Sequence, residues 1–152
     1  TLVGLVRTDA ATQFQDSATL RCVASWLNPP SRHLFVAFGT PSFTFTVTAG
    51  EIDSTKRIEW VQFQGPVLIQ ASGRCNNNVA GGFTVLGVRI DGTTGQDGPL
   101  SGGHSSAVNY EIATNPAHTQ SVGVGYHFAT ATGFVSGNTG TALSLVLSAR
   151  LP

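Results

Sequence analysis

The chain has 152 residues, of which 41% are hydrophobic and only 11% are charged, whereas charged residues make up about 25% of a typical soluble domain. This length suits one domain, so we expect residues 1–152 to form a single unit. Eight basic and eight acidic residues balance, and Lys56 and Arg57 are the only adjacent basic pair. The sequence therefore has no basic stripe that would indicate a nucleic-acid partner. No apolar run is long enough to span a membrane.

Alternation of apolar and polar residues recurs along the chain and predicts about ten strands. In chain order, these are residues 2–6, 20–27, 34–38, 42–48, 57–63, 67–73, 86–91, 106–112, 122–128 and 143–151. The alternation slips at Val61, which indicates either a bulge or a strand buried on both faces. Helical spacing is weak, and the best candidate is one turn around Asp9 to Gln15.

Clusters of glycine, proline and asparagine separate the predicted strands. The stretch from Gly92 to Gly103 is the longest predicted loop, and long loops tend to be functional or mobile. About ten short strands with few helical signals predict an all-β fold, an antiparallel β-sandwich of the jelly-roll type.

Two residue types bear on processing and redox state. The chain contains no methionine, so Thr1 is not an initiator residue, and we expect an N-terminal segment such as a stalk or an anchor to be missing. Cys22 and Cys75 are the only cysteines. Two cysteines leave both an intramolecular disulfide and two buried thiols open.

Several short segments carry a resemblance to a known family. They are Thr1 to Thr8, Gln13 to Ala18, Val23 to Asn28, Arg57 to Trp60, Ile90 to Gly92, Gly125 to His127 and Gly133 to Gly140. In this order they resemble a family of small phage virion proteins, the tail-fibre, head-fibre or decoration domains. The order of the predicted strands also resembles the trimeric jelly roll of the C1q and tumour-necrosis-factor class.

The resemblance implies a location on the surface of the phage particle, a homotrimer and contacts with other virion proteins. In the trimeric class, residues of the late strands line a threefold axis. The corresponding candidates for core or threefold packing are Tyr126, Phe128, Phe134, Leu143, Leu145 and Leu147.

Two polar segments are candidates for binding a host-surface glycan. One is Asn76, Asn77 and Asn78, and the other runs from Asp91 through Asp97 to His104. Both lack the apolar residues of a buried segment, so we expect them to be exposed. Their amides and carboxylates would bond sugar hydroxyls, and Tyr110 is the aromatic residue least committed to the core. The alternative is that they are solvated hairpin ends.

Trp26 and Trp60 share faces with apolar neighbours and are expected in the core.

Metal binding and catalysis have little support in the sequence. The loop from Asp91 to Gly98 offers two carboxylates for calcium, but a glycine-rich turn explains it more simply. The histidines (His33, His104, His118 and His127) lack metal-ligand spacing, and no Gly-x-Ser-x-Gly elbow occurs. We therefore predict no metal, no cofactor and no enzymatic activity.

The preferred hypothesis is a structural and adhesive module, a trimeric head on a phage fibre, spike or capsid decoration. Three weak sites presented together would gain avidity without new contacts. The alternative is a free-standing carbohydrate-binding module or lectin.

Overall fold

The computed structural model describes residues 4–6, 20–21, 23–25, 33–39, 43–62 and 65–152, with the backbone alone for residues 4–25. The predicted turn at Asp9 to Gln15, together with Cys22 and Trp26, lies outside the described residues. Within these ranges every regular element is a strand. No helix there is long and apolar enough to cross a membrane.

Fourteen strands occupy the described ranges. They are β1 (Gly4–Val6), β2 (Leu20–Arg21), β3 (Val23–Ser25), β4 (His33–Ala37), β5 (Phe43–Phe45), β6 (Gly50–Glu51), β7 (Ile58–Gln62), β8 (Gly65–Asn77), β9 (Phe83–Ile90), β10 (Asp97–His104), β11 (Ile112–Thr114), β12 (Ala117–Val122), β13 (Gly125–Val135) and β14 (Gly140–Arg150).

Two sheets contain most of these strands, and each is named here after its central strand. The β13 sheet has the order β10-β9-β13-β7-β2, with β6 also paired to β13. The β14 sheet has the order β11-β8-β14-β4, with β12 also paired to β8 and β5 to β14. Strands β1 and β3 form a separate pair. The ladders are antiparallel except for the short β2–β7 pair, which is parallel.

The path of the chain between the sheets defines a jelly roll. From β4 onward it alternates between the sheets through β7, β8 and β9, makes one hairpin to β10, and then alternates again through β12, β13 and β14. The last two long strands therefore occupy the centres of opposite sheets, which is the double Greek-key arrangement of a jelly roll. The predicted fold class, an antiparallel jelly-roll sandwich, is confirmed.

The core fills the space between the two sheets. Trp60 is fully buried there beside Ile58, as its strand position predicted. The register of β7 on β13 is regular from Ile58 to Gln62, and Val61 on the opposite face is buried as well. Of the two interpretations of the slipped alternation, burial on both faces is confirmed and the bulge is wrong.

Two predicted elements differ from the structure. The predicted strand at 106–112 is mostly a turn, and Asn109 adopts a left-handed backbone with φ of 57°. The predicted loop at 92–103 contains most of β10, which pairs with β9. At Gly102 a Cβ atom would collide with the Thr84 carbonyl oxygen and with Val85 Cα. The glycines that suggested a loop therefore permit close approach of two strands.

Candidate functional site

One end of the sandwich gathers three of the predicted binding residues, Asn78, His104 and Tyr110. We call it the loop end, and it comprises residues 78–82, 104–111 and 136–139. Backbone bonds join these segments: Asn78 N–H donates to the Thr139 carbonyl at 3.2 Å, and Gly81 N–H donates to the Ser105 carbonyl at 2.6 Å. The topology thus brings together residues that are up to 61 positions apart.

The predicted exposure of Asn76 and Asn77 is wrong. Both are buried at the end of β8, and Asn77 has no exposed surface. Its Oδ1 accepts a hydrogen bond from Val79 N–H at 3.0 Å, and its Nδ2 donates to the Gly137 carbonyl at 3.4 Å. These side chains hold neighbouring loops in place, since buried polar groups are bonded internally. Only Asn78 is exposed as predicted.

The other two loop-end residues are accessible. His104 is exposed, with Nδ1 at 3.1 Å from the Gly81 carbonyl oxygen and its ring against Phe83. Tyr110 is 55% exposed, beside the exposed Val108. The loop end therefore presents one aromatic ring and one imidazole to solvent.

Asp91 lies at the other end of β9, away from the loop end. Its Oδ1 accepts a hydrogen bond from Phe128 N–H at 3.0 Å, and its Oδ2 lies 2.7 Å from Nδ1 of His127. Nε2 of His127 faces the Gly123 carbonyl at 3.1 Å, and the ring packs against Trp60. Both partners of the imidazole are acceptors, so both bonds form only when both ring nitrogens carry a proton.

Asp97 is also bonded to the protein itself. Its Oδ2 accepts a hydrogen bond from Ile90 N–H at 2.8 Å, and its Oδ1 lies 3.3 Å from Arg89 Nη1. The two carboxylates considered for calcium thus have protein partners of their own. Among the described residues, no group of three or more His, Cys, Asp or Glu side chains is placed to hold a metal ion.

The predicted packing residues fall into three groups. Leu145 and Leu147 belong to the core of this chain, so they are core residues and the threefold interpretation of them is wrong. Phe128, Phe134 and Leu143 are half-buried. Tyr126 is 43% exposed, so it is the predicted packing residue most open to a partner.

A charged pair lies on the outer face of the β13 sheet. Nε and Nη2 of Arg57 donate to the two carboxylate oxygens of Glu51, each at 2.6 Å. The guanidinium also lies 4.7 Å from the centre of the Phe128 ring. The hydrogen bond from Arg57 lowers the pKa of Glu51, against the opposing effect of burial. The same bond raises the pKa of Arg57. This pair ties β6 to the start of β7.

Cys75 is a free thiol in the core. Burial raises the pKa of the thiol to about 12, so it remains protonated and unreactive at neutral pH.

The outer face of the β14 sheet carries a groove that the sequence did not predict. Its volume is about 610 Å³, within the range of about 300–1,000 Å³ for small-molecule sites. Eight residues of β4, β8 and β14 line it: His33, Phe35, Leu68, Gln70, Ser72, Val146, Ser148 and Arg150.

The register of the three strands arranges the groove in rungs. Arg150 pairs with both His33 and Leu68, which makes the first rung. In the next rung, Ser148 pairs with Phe35 and Gln70, about 7 Å further along the strands. Val146 and Ser72 follow in the third rung. Side chains two positions apart on a strand share a face, so all of them point to the same open surface.

The groove combines one aromatic platform with several polar groups. Phe35 is 50% exposed in its middle rung. In the same rung, across Ser148, Gln70 Nε2 donates to Asn115 Oδ1 at 2.6 Å, which fixes the amide. A half-exposed ring in a groove that also holds an amide and hydroxyls can bind a flat apolar surface that carries polar substituents.

Comparisons with known proteins give no family for this chain. No family model and no curated protein matches the sequence.

The similar solved structures include the C-terminal domain of EclA, a sugar-binding protein. It has 13% identity over 72% of this chain and 78% of that chain, at a TM-score of 0.42. Eiger TNF from S. frugiperda has 8% identity over 74% and 94%, at a TM-score of 0.38. The VP2 protein of infectious bursal disease virus has 14% identity over 85% and 34%, at a TM-score of 0.38. All three scores lie below 0.5, so these similarities carry no conclusion about function, and the jelly-roll assignment rests on the strand order.

Proposed function

We propose that this domain is a binding module on the surface of a phage virion, and that it attaches to a host-surface glycan through the groove of the β14 sheet. The observation that carries the binding part is the half-exposed Phe35 in the middle rung, with Ser148 next to it and Gln70 on the far side of Ser148. The C–H face of a sugar ring packs on such an aromatic ring, while hydroxyls of the glycan bond to Ser148 and, one strand further, to the Gln70 amide.

The virion location is supported by the sequence resemblance and by the balanced, low charge of the chain. A neutral surface avoids non-specific attachment to nucleic acid inside the cell. Electron microscopy of the source particle with a gold-labelled antibody against this domain tests the location. Label at the tail or on the capsid is expected, and particles that carry none of the protein would overturn the proposal.

We propose further that the domain works as a homotrimer. A shallow groove on one domain binds a sugar weakly, and three such grooves on one particle component gain avidity. Tyr126 and its neighbour Val124 are both exposed on the turn into β13 and at its start, which makes this region the candidate contact between copies. Light scattering on the isolated chain tests the assembly, and a stable monomer at micromolar concentration would contradict it.

A second candidate function, a free-standing carbohydrate-binding module, rests on the same groove. It differs in assembly and location: a monomer that binds glycans and is absent from particles would favour it. Catalysis is not part of either proposal. The residues that line the groove include neither Asp nor Glu, so the paired carboxylates of a glycosidase are lacking there.

The test of binding is a glycan array with the wild-type chain and the Phe35→Ala variant. Binding that the variant loses, with an unchanged melting temperature, is the expected result. Equal binding by both proteins would place the sugar elsewhere, with the loop end around Tyr110 as the next surface to test.

A further inference from the structure

The groove carries charge of one sign. Its two ionisable residues are Arg150 and His33, which lie side by side in the first rung. Neither is offset by an acidic residue in the groove lining. The end of the groove next to Phe35 is therefore basic, whereas the chain as a whole is neutral.

Arg150 differs from the other arginines whose side chains the structure describes. Arg57 pairs with Glu51 at 2.6 Å, Arg74 with Glu111 at 2.5 Å, and Arg89 with Asp97 at 3.3 Å. Arg150 has no carboxylate partner among the described residues. An arginine presents a rigid fork of N–H donors that matches a carboxylate in two-point contact, and here that fork is available at the mouth of a groove.

The spacing relates this charge to the aromatic platform. Phe35 and Arg150 lie one rung apart on neighbouring strands, about 7 Å along the strand direction and about 5 Å across it. A single sugar ring that stacks on Phe35 can therefore place a ring substituent at the Arg150 guanidinium. The same ring would keep its hydroxyls near Ser148, and Gln70 lies one strand further across the groove.

We infer that the groove selects an acidic glycan, and this inference rests on the proposed function. The carboxylate of the sugar pairs with Arg150 beside His33, while the sugar ring packs on Phe35. Uronic acids and sialic acids share this chemistry. A stacked nucleotide with its phosphate on Arg150 is less favoured, because a single unpaired arginine without a basic stripe is a weak site for nucleic acid.

The test is isothermal titration calorimetry with two matched pairs of probes. One pair is the tetrasaccharide of galacturonic acid and the galactose tetrasaccharide of the same linkage, and the other is 3'-sialyllactose and lactose. We expect the wild-type chain to bind at least one acidic probe about tenfold or more tightly than its neutral partner, and added salt should reduce that preference. The pair that shows the larger preference identifies the source of the carboxylate.

The diagnostic variant is Arg150→Gln, which should remove the preference for each acidic probe over its neutral partner. The matched control is Arg74→Gln, on β8 of the same sheet, whose guanidinium is already paired with Glu111. The Arg74→Gln variant should change neither the affinity for the acidic probe nor the affinity for its neutral partner. Both side chains are on the surface, and circular dichroism confirms that each variant folds.

The contrary outcomes separate this inference from the proposed function. Equal binding of acidic and neutral probes, or an Arg150→Gln variant that keeps the preference, overturns the inference but leaves sugar binding in the groove. Absence of binding to all four probes overturns both. Tighter binding of a short thymidine oligonucleotide than of either acidic sugar also overturns the inference, because it would assign the groove to a nucleotide.

Discussion

Replacing Glu51 with Gln should destabilise the domain measurably, because it breaks the pair that ties β6 to β7. The carboxylate accepts two hydrogen bonds from Arg57, both at 2.6 Å, and the two side chains are only 9% and 28% exposed. A hydrogen bond to a charged group contributes about 1.5–3 kcal/mol. We therefore expect the free energy of unfolding at pH 7 to fall by about 1.5–3 kcal/mol, measured by urea denaturation.

The pH dependence of this loss follows from the direction of the pKa shift. The pKa of Glu51 is lowered in the folded protein, so its contribution to stability is fully present above the ordinary glutamate value of about 4.3. That contribution disappears as the pH falls through the lower, folded pKa. The difference between wild type and Glu51→Gln should thus be constant between about pH 6 and pH 8 and should shrink below about pH 4.

The control is Glu111→Gln, which breaks an ion pair of a different kind. Arg74 and Glu111 form a short contact, but their side chains are 53% and 42% exposed. Exposed pairs contribute only about 0.2–1 kcal/mol, so this variant should stay close to wild type. Equal losses in the two variants, or a Glu51→Gln loss that is unchanged at acidic pH, would refute the reasoning.

Three further predictions concern the core, the edge strand and the assembly. In a Cys22→Ser background, a thiol reagent should label Cys75 at pH 8 only after denaturation, because the pKa of the thiol is raised to about 12; rapid labelling of the native protein would contradict its burial. Gly102→Ala should lower the melting temperature, because the added methyl collides with backbone of β9. Gly123→Ala, where a Cβ meets nothing within 4 Å, should be near neutral, and similar effects in both variants would disprove the close-approach explanation. Tyr126→Ser should shift light scattering toward the monomer, and an unchanged mass would place the contact elsewhere.

Strands with a buried and an exposed face were the most predictable part of the fold. The alternation near the C-terminus predicted a strand over 143–151, and β14 spans Gly140–Arg150. Trp60 was assigned to the core from its neighbour Ile58, and both are fully buried. In these segments one face of the strand is buried, and burial of one face places an apolar residue at every second position.

Polar and glycine-rich segments were predicted less well, because the same residue types occur both in exposed loops and in paired strands. Asn76 and Asn77 were expected at an exposed tip, yet they end a long strand and Asn77 bonds to the neighbouring loop backbone. The glycines before His104 were expected in a loop, yet Gly102 lets β10 approach β9. The composition of such segments shows that they contain few apolar residues. It does not show which tertiary partner buries them.

The groove was invisible in the sequence because its residues come from three distant segments. The alternation of β14 places Ser148 and Arg150 on one face, but it does not identify β4 and β8 as the neighbours. Phe35 and Gln70 join that face only through the register of the sheet. Leu145 and Leu147 illustrate the same limit, since alternation cannot tell which face of a strand meets the core.

The most direct test of the groove as a sugar site is an amide chemical-shift titration of the isotopically labelled chain with the galacturonic acid tetrasaccharide. The account predicts that the largest shifts fall on β4, β8 and the last residues of β14, around Phe35, Gln70 and Arg150, and that Phe35→Ala abolishes them. Shifts confined to the loop end, at residues 78–82, 104–111 and 136–139, would contradict it.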